Sequence, residues 1–321
     1  MQLEKDTLQI VVVGGGSVGL LYAARLARSG QAVTIVTRSS LQSNQLMQNG
    51  LCYQQLDGEK SVVSIVAQPI EMGLPHADVY LLSVKQTDLP DLLPPLKDLP
   101  AKARVVALQN GMGHQELLAQ ILPQRQCFFA INTEGARRLS ATEVMHTGSG
   151  LLRMGPWESG MQADAVMQAF VDALQEAGVN AQLEASIKPY AWRKLMANAL
   201  INPLTALFDI PNGALLENPQ TLQLMRELFL EASAVASAHG QKMKETDWQE
   251  IVTICRNTSR NLSSMLQDVK RQKQTEVEAI NGYLVKRGRE AGIPTPLHDV
   301  LLRLVLLKTD VGIGKEGGDR K

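Results

Sequence analysis

The sequence predicts a doubly wound α/β domain with a mainly parallel sheet, followed by an all-α helical domain. The length of 321 residues is typical of two domains. Up to residue 185, short apolar runs alternate with helical patterns, as strands and crossover helices do in a parallel sheet. From residue 186 to residue 321 the patterns are helical, except for a Gly- and charge-rich tail from about residue 312 that we predict to be disordered.

The strands of the first domain are predicted from short β-branched runs bounded by polar residues. Such continuous apolar runs suit strands that are covered by helices on both faces. A helix over about residues 18–29 follows the first run and ends at Gly30. The predicted strands cover residues 10–13, 32–37, 61–67, 79–84, 105–108, 127–132 and 151–154.

The helices of the second domain are predicted from their end signals. Pro189 suits the first turn of a helix that runs to about residue 201, where Asn202-Pro203 halts or kinks it. Asn218-Pro219 supplies an N-cap and a proline at the first helical position of the next helix. Further helix starts are indicated by capping-box patterns at residues 246–249, 264–267 and 275–278.

Composition argues against several classes of function. Lys plus Arg and Asp plus Glu both number 32, so no net charge draws the chain to nucleic acid or to an anionic membrane. The three cysteines are far apart and the five histidines are scattered, which argues against a disulfide framework and a metal site. The sequence contains no apolar stretch long enough for a signal peptide or membrane span, so we expect a cytoplasmic protein.

The clearest motif is the glycine loop Gly14-Gly15-Gly16-Ser17-Val18-Gly19, which follows the first strand and opens the first helix. This context is typical of a Rossmann dinucleotide site. Gly14 permits the tight turn, Gly16 permits close approach of a pyrophosphate, and Gly19 permits close packing of helix and strand. The amides of Ser17 and Val18 at the helix start face the phosphate charge. A purely structural glycine loop is the alternative.

The end of the second strand indicates which nicotinamide cofactor is bound. An NAD enzyme usually places a carboxylate there for the ribose 2′-hydroxyl. This chain has Thr37-Arg38-Ser39-Ser40 instead, and a guanidinium can hold a 2′-phosphate by charge-assisted hydrogen bonds. Arg38 therefore favours NADPH/NADP+, with an ordinary surface arginine as the alternative.

A polar stripe lies on the first helix of the second domain. Lys194, Asn198 and Asn202 are spaced i, i+4, i+8 and share one helix face. Apolar residues between them predict that much of this helix is buried, where an unpaired amide costs about 1–3 kcal/mol. The stripe therefore needs either a ligand or neighbouring backbone partners, and spacing alone leaves both open.

The chain resembles the ketopantoate reductases over about residues 8–300. The resemblance rests on the glycine loop, Gln109-Asn110-Gly111-Met112-Gly113, the 192–203 stretch and 261–268 followed by Thr275-Glu276, in this order. It implies a Rossmann domain, a helical second domain and NADPH-dependent reduction of 2-dehydropantoate to pantoate, a step of pantothenate synthesis. It also implies a monomer or homodimer that acts on a small-molecule 2-oxo acid.

The resemblance also implies roles for individual residues. Lys194 matches the catalytic lysine, whose ammonium would protonate the alkoxide left by hydride attack. The positions matching substrate contacts are Asn110, Asn198, Asn202, Asn261, Ser264 and Glu276. The positions matching cofactor contacts are Gly14, Gly16, Ser17, Val18, Gly19, Arg38, Lys85, Asn110, Ala136 and Glu276. Glu276 and Ser264 could instead serve only at helix starts.

Two alternative functions remain open from the sequence. One is a reductase of the same architecture that acts on another branched 2-oxo acid. The other is a non-catalytic NADPH sensor, which has no need of the face formed by Lys194, Asn198 and Asn202.

Overall fold

The computed structural model of the protein describes residues 7–160 and 164–314. The chain divides into two compact units. The first unit holds residues up to Gln109 together with His114–Lys188, and the second holds Asn110–Gly113 together with residues from Pro189 onward. The first unit is α/β and the described part of the second is helical, so the predicted fold class is confirmed.

The strands and helices have the following bounds. The strands are β1 (Gln9–Val13), β2 (Ala32–Thr37), β3 (Leu51–Gln54), β4 (Lys60–Val63), β5 (Val66–Pro69), β6 (Val79–Leu82), β7 (Arg104–Ala107), β8 (Cys127–Asn132), β9 (Gly135–Arg138), β10 (Glu143–Gly148), β11 (Leu152–Gly155) and β12 (Ala181–Leu183). The helices are α1 (Ser17–Arg28), α2 (Ser40–Asn49), α3 (Leu89–Lys97), α4 (His114–Ala119), α5 (Ala165–Glu176), α6 (Lys188–Phe208), α7 (Pro219–Ala238), α8 (Glu245–Asn257), α9 (Ser264–Lys270), α10 (Tyr283–Glu290) and α11 (Pro296–Gly314).

The first unit is built on an eight-stranded sheet in the order β12-β11-β8-β7-β6-β1-β2-β5. Neighbouring strands are parallel except for β8 and β11, which are antiparallel. The strand order reverses direction at β1, which lies between β6 and β2. In doubly wound sheets the ligand site lies at the carboxyl ends of the strands at such a reversal. The loop after β1 therefore occupies the expected place for a cofactor.

Helix α1 connects this sheet to a second one. The second sheet has the order β4-β3-β10-β9. Helix α1 contacts β2 of the large sheet and also β3, β9 and β10 of the small sheet. Its residues from Gly19 to Ala24 are therefore buried in succession, and they form much of the core of the first unit. A helix that is buried on most sides is apolar around its whole circumference, as these six residues of α1 are.

The strands of the large sheet differ from the sequence prediction in two respects. The predicted strand over residues 61–67 is two strands, since β4 pairs in the small sheet and β5 forms the edge of the large sheet. Strand β12 was not predicted, and it forms the other edge of the large sheet by pairing with β11. β12 has only three residues and offers too short a run for a periodicity signal.

Helix α6 is the buried helix of the second unit. Instead of halting at Asn202-Pro203, it continues to Phe208. Proline has no amide hydrogen, so the carbonyl oxygen of Ala199, four residues earlier, loses its helical partner. The side-chain amide of Asn281 donates a hydrogen bond to that oxygen at 3.0 Å. This replacement satisfies the buried carbonyl and allows the helix to pass through Pro203.

The ends of other helices show which end signals were correct. The Asn218 side chain caps α7 and Pro219 is its first residue, as predicted. The cap of α9 is Ser263, not Ser264, because the Ser263 hydroxyl accepts from the Leu266 amide at 3.1 Å. Helix α11 runs to Gly314, so residues 312–314 of the predicted disordered tail are helical and the rest of that tail lies outside the described residues. No helix in the described ranges is long and apolar enough to cross a membrane.

Candidate active site

The glycine loop of the first unit is a tight turn between β1 and α1. Gly14 has φ +118°, a conformation that favours glycine, and its amide donates to the Val36 carbonyl at 2.8 Å. A Cβ on Gly14 would lie 2.8 Å from the Ser83 hydroxyl oxygen, and one on Gly19 would overlap the Gly14 carbonyl oxygen. These two glycines are therefore required by the packing of the loop itself.

Gly16 is different, because a Cβ there would meet no atom of the described residues within 4 Å. Gly16 is the residue preceding α1, and no side chain in the described ranges caps the amides of this helix start. The open space beside Gly16 and the uncapped amides of Ser17 and Val18 fit a pyrophosphate, whose charge the helix N-terminus stabilises. The loop geometry thus fits a dinucleotide cofactor.

The glycine loop accepts hydrogen bonds from two residues that the sequence analysis did not single out. Gln42 Nε2 donates to the Gly15 carbonyl at 2.9 Å, and the Arg138 guanidinium donates to the same oxygen at 3.0 Å. The Arg138 amide donates to the Ser17 hydroxyl at 3.1 Å, which leaves that hydroxyl its own hydrogen to donate. Ala136 lies half-buried on the same strand, β9. A glutamine in α2 and an arginine in β9 carry no sequence signal for this contact.

Arg38 follows β2 at the carboxyl edge of the sheet, and its side chain is 77% exposed. Its Nη2 lies 2.5 Å from the Asp88 carboxylate, which follows β6 on the other side of β1. Lys85 also follows β6 and is half-buried. A basic residue therefore follows each of the two strands that flank β1. Arg38 also forms an ion pair with a carboxylate, which the sequence analysis did not predict.

The polar stripe of the second unit lies on α6 as predicted. Lys194 and Asn198 are half-buried, and Asn202 is 7% exposed. Among the residues that the structure describes, no hydrogen bond is made by the side-chain amide of either asparagine. Neither amide is among the fully buried polar atoms of the described residues, so both remain available to a polar ligand. The alternative that backbone groups pair with these two side-chain amides is therefore not found in the described residues.

The Lys194 ammonium has a strongly shifted acidity. Burial lowers its pKa from 10.5 to about 8, and the negative charge of Glu276 opposes this shift. A lysine with this pKa is mostly protonated at neutral pH and gives up its proton more readily than an exposed lysine. Those are the properties of a general acid near neutral pH.

Glu276 is positioned by the short segment 110–113, which belongs to the second unit. Asn110 Nδ2 donates to Glu276 Oε2 at 3.1 Å, and the Met112 amide donates to the Ala279 carbonyl at 2.9 Å. Gly111 has φ +76°, and a Cβ there would overlap the Ala279 carbonyl oxygen. Within the described residues, Val277 supplies no side-chain cap to the turn that starts at Glu278. The Glu276 carboxylate is held by its hydrogen bond from Asn110.

The turn after Glu276 is a π turn over Glu278–Gly282 that leads into α10. Such turns insert one residue into a helix and occur often at functional sites. Asn281 in this turn is fully buried, and its Nδ2 lies 3.0 Å from the Ala199 carbonyl and 3.0 Å from His298 Nδ1. Burial lowers the pKa of His298 to about 4, so its ring is neutral and can accept through Nδ1 while Nε2 donates to the Leu228 carbonyl. This network ties the π turn to α6.

The loop before α9 lies beside the end of the polar stripe. The Thr205 hydroxyl lies 3.0 Å from the Asn202 carbonyl and 2.7 Å from the Ser263 hydroxyl. Because Ser263 serves as the cap, the exposed Ser264 hydroxyl is not used by the helix start. Asn261 is also exposed, and its carbonyl accepts from the Asn212 amide at 3.0 Å.

Asn212 was missed by the sequence analysis. It is buried, and its Nδ2 donates to the Thr258 hydroxyl at 2.9 Å. Its Oδ1 is buried without a hydrogen-bond partner in the part of the chain that the structure describes. In sequence, Pro211-Asn212-Gly213 has the composition of an ordinary turn, which is why no signal marked it.

The predicted site residues therefore fall into two groups. The glycine loop, Arg38, Lys85 and Ala136 belong to the first unit. Lys194, Asn198, Asn202, Asn261, Ser264, Glu276 and also Asn110 belong to the second. Within the second unit, a hydrogen bond joins Asn110 to Glu276, and the charge of Glu276 acts on Lys194.

Comparison with known proteins identifies relatives over nearly the whole chain. The family model described as Ketopantoate reductase PanE/ApbA matches residues 10–159, and the model of its C-terminal part matches residues 186–309. The 2-dehydropantoate 2-reductase of Vibrio cholerae is 32% identical over 301 residues, which cover 93% of this chain and 97% of the relative.

Solved structures share the fold. A probable 2-dehydropantoate 2-reductase from Bacillus subtilis has a TM-score of 0.80 and 31% identity, and the match covers 94% of this chain and 100% of that one. A ternary structure of D-mandelate dehydrogenase with NADH and anilino(oxo)acetate has a TM-score of 0.87, with 95% and 99% coverage. Its identity is 23%, so this second likeness concerns the fold alone.

Proposed function

The chain belongs to the ketopantoate reductase family, and from this membership and the polar face of α6 we propose that it reduces 2-dehydropantoate to pantoate with NADPH. The reaction is a step of pantothenate synthesis. The observation that carries the proposal is the Lys194 ammonium, whose pKa of about 8 suits proton donation, on a face with two unpaired amides and near a carboxylate. A protein that only binds a cofactor has no use for that combination.

The cofactor, when bound, supplies the hydride that adds to the ketone carbon. The residues that would hold it are those of the first unit. Gly16 leaves room for the pyrophosphate, the amides of Ser17 and Val18 donate to it, and Arg38 and Lys85 supply positive charge. The preference for NADPH over NADH rests on Arg38, because its guanidinium can pair with a 2′-phosphate.

Lys194 completes the reaction at the carbonyl oxygen. As the hydride adds to carbon, the C=O π electrons move to oxygen, and the Lys194 ammonium donates a proton to form the hydroxyl. The neutral amine then regains a proton from solvent. General-acid and electrostatic stabilisation of this kind contribute about 10²–10⁴ in rate. The lowered pKa of Lys194 makes the proton easier to transfer while keeping the ammonium populated at neutral pH.

The remaining polar groups of the second unit hold the substrate. The unpaired amides of Asn198 and Asn202 and the hydroxyl of Ser264 can donate to a carboxylate, and Asn261 can assist them. The Glu276 carboxylate, whose charge acts on Lys194, can accept a hydrogen bond from a substrate hydroxyl. Asn110 orients Glu276, and we propose that it also contacts the nicotinamide and the substrate.

The experiment that tests this function compares Lys194→Ala with Lys286→Ala, which removes an exposed lysine of α10 in the same unit. We expect Lys194→Ala to lower kcat with 2-dehydropantoate by about 10²–10⁴ while leaving the Kd for NADPH nearly unchanged. Lys286→Ala should turn over normally. Normal turnover in Lys194→Ala would refute the role of the lysine.

A panel of 2-oxo acids separates the proposal from its alternatives. Consumption of NADPH is measured with 2-dehydropantoate and with 2-oxoisovalerate, which lacks the hydroxyl that Glu276 is proposed to bind. Preference for 2-dehydropantoate supports the proposal. Equal or greater use of other branched 2-oxo acids would indicate a different substrate, and NADPH binding without consumption would indicate a sensor.

A further inference from the structure

Arg38 and Asp88 form an ion pair at the place where the proposed cofactor preference is decided. Arg38 follows β2, Asp88 follows β6, and the two strands flank β1 and its glycine loop. The Arg38 Nη2 to Asp88 Oδ2 distance is 2.5 Å. The guanidinium that would bind a 2′-phosphate thus already carries an anionic partner.

The position of Asp88 is not explained by helix capping. Asp88 immediately precedes α3, a place where an aspartate often accepts from the helix amides. Here no side-chain cap is formed, and the residue has helical backbone angles. Its carboxylate is directed to Arg38 and remains 34% exposed. Asp88 therefore places a charged group near the carboxyl edge of the sheet, where the cofactor is proposed to bind, and does not cap the helix.

A ligand can separate the ion pair of Arg38 and Asp88, but the negative charge of Asp88 remains close to Arg38. Ion pairs between exposed side chains are weak, so a ligand can displace Asp88 from Arg38. The carboxylate nevertheless stays near the same group, because Arg38 directly follows β2 and Asp88 lies in the turn that starts α3, within the same unit. A phosphate monoester with a charge of about −1.5 to −2 at neutral pH would then share Arg38 with a second anion.

We infer that Asp88 is a specificity-determining residue, which lowers the preference for NADPH over NADH that Arg38 confers. This inference rests on the proposed nicotinamide-dependent function. The carboxylate repels the 2′-phosphate of NADPH and competes with it for Arg38. NADH has no 2′-phosphate for the same group to repel, and the carboxylate can accept a hydrogen bond from its ribose 2′-hydroxyl, as carboxylates do in NAD sites.

The test measures binding without turnover. Titration calorimetry gives the Kd of NADP+ and of NAD+ for the wild-type chain and for Asp88→Asn, which keeps the shape and an acceptor oxygen but removes the charge. We expect the Kd of NADP+ to fall by about three- to tenfold, as removal of one nearby surface charge permits, and the Kd of NAD+ to change less than twofold. Raising the salt concentration should shrink the gain, because the effect is electrostatic.

The matched control is Asp91→Asn, which removes an exposed carboxylate from the first turn of the same helix. We expect it to leave both dissociation constants within about twofold. An unchanged ratio of the two constants in Asp88→Asn would overturn the inference. Weaker NADP+ binding in that variant would also overturn it, since Asp88 would then serve to orient Arg38 for the phosphate. If the wild-type chain binds neither nucleotide, the proposed function itself fails, and that result is distinct from both.

Discussion

Asn110 and Glu276 are 166 residues apart in the sequence and are joined by a hydrogen bond of 3.1 Å. The bond holds the Glu276 carboxylate in the segment that precedes the π turn, where its charge acts on Lys194. One carboxylate is thus oriented by an amide and raises the proton affinity of a half-buried lysine.

The pH dependence of activity should report the Lys194–Glu276 pair. Because Lys194 acts in its protonated form, kcat/KM for reduction should fall as pH rises through the lysine pKa of about 8. The charge of Glu276 raises that pKa, so Glu276→Gln should move the falling limb to lower pH. Glutamine keeps an acceptor oxygen for Asn110, so the position of the side chain is preserved.

The control for this profile is Glu278→Gln, which removes an exposed carboxylate two residues further on. Its pH profile should coincide with that of the wild type. A falling limb that stays in place in Glu276→Gln would contradict the assignment of this limb to Lys194 under the influence of Glu276.

Replacing Lys194 should stabilise the folded protein. The lysine pKa is lower in the folded chain, at about 8, than its ordinary value of 10.5, so burying the ammonium costs free energy at neutral pH. We expect Lys194→Met to raise the free energy of unfolding at pH 7 by about 1–3 kcal/mol. This range is below the full value of the shift because the side chain is only half-buried and Glu276 loses a neighbouring positive charge.

The sign of the pH effect gives an independent check. Between about pH 8 and pH 10.5 the unfolded chain binds more protons at this residue than the folded chain does, so the stability of the wild type should rise relative to Lys194→Met. Urea unfolding at pH 7 and at pH 10 measures the difference. A variant less stable than the wild type at pH 7 would contradict the burial cost.

Two glycines of one loop should respond differently to alanine. Gly16→Ala places its Cβ in open space, so we expect normal thermal unfolding and a Kd for NADPH that is raised about tenfold or more, because the methyl group occupies the space for the pyrophosphate. Gly19→Ala places its Cβ on the Gly14 carbonyl oxygen and should cost about 1–3 kcal/mol of stability. Equal losses of stability in the two variants would show that the space beside Gly16 is not reserved for a ligand.

Asn281 and Pro203 should be energetically coupled. Asn281→Ala removes the donor to the buried Ala199 carbonyl and should cost about 2–4 kcal/mol. Pro203→Ala supplies a backbone amide to that carbonyl, so Asn281→Ala should cost about 1 kcal/mol less in that background. The four free energies of unfolding form a double-mutant cycle. Strict additivity would mean that the two donors do not replace each other.

The sequence predicted the parts of the fold that depend on local patterns. The glycine loop and β2 lie where the apolar runs predicted them. Helix α7 begins where Asn218 and Pro219 predicted its start. The small sheet was not predicted, because β3 and β4 are short and β10, which pairs with β3, is about 90 residues further along the chain. A pattern within a strand does not reveal a partner at that separation.

The site shows the same division. The spacing of Lys194, Asn198 and Asn202 was enough to predict their common helix face. The pairing of Arg38 with Asp88 could not be predicted, because it depends on which strands flank β1. A proline inside α6 requires a substitute donor for Ala199, but only the folded structure identifies that donor as Asn281.

The assignment of residues 110–113 to the second unit affects how these proteins can be recombined. A chimaera that joins the first 188 residues of one relative to the helical part of another would take Asn110 and Gly111 from one parent, and Glu276 and Ala279 from the other. The residues in contact would then come from different parents. Transferring residues 110–113 together with the helical part should restore matched contacts. Shuffling of substrate ranges within the family is therefore better designed with three crossover points than with one.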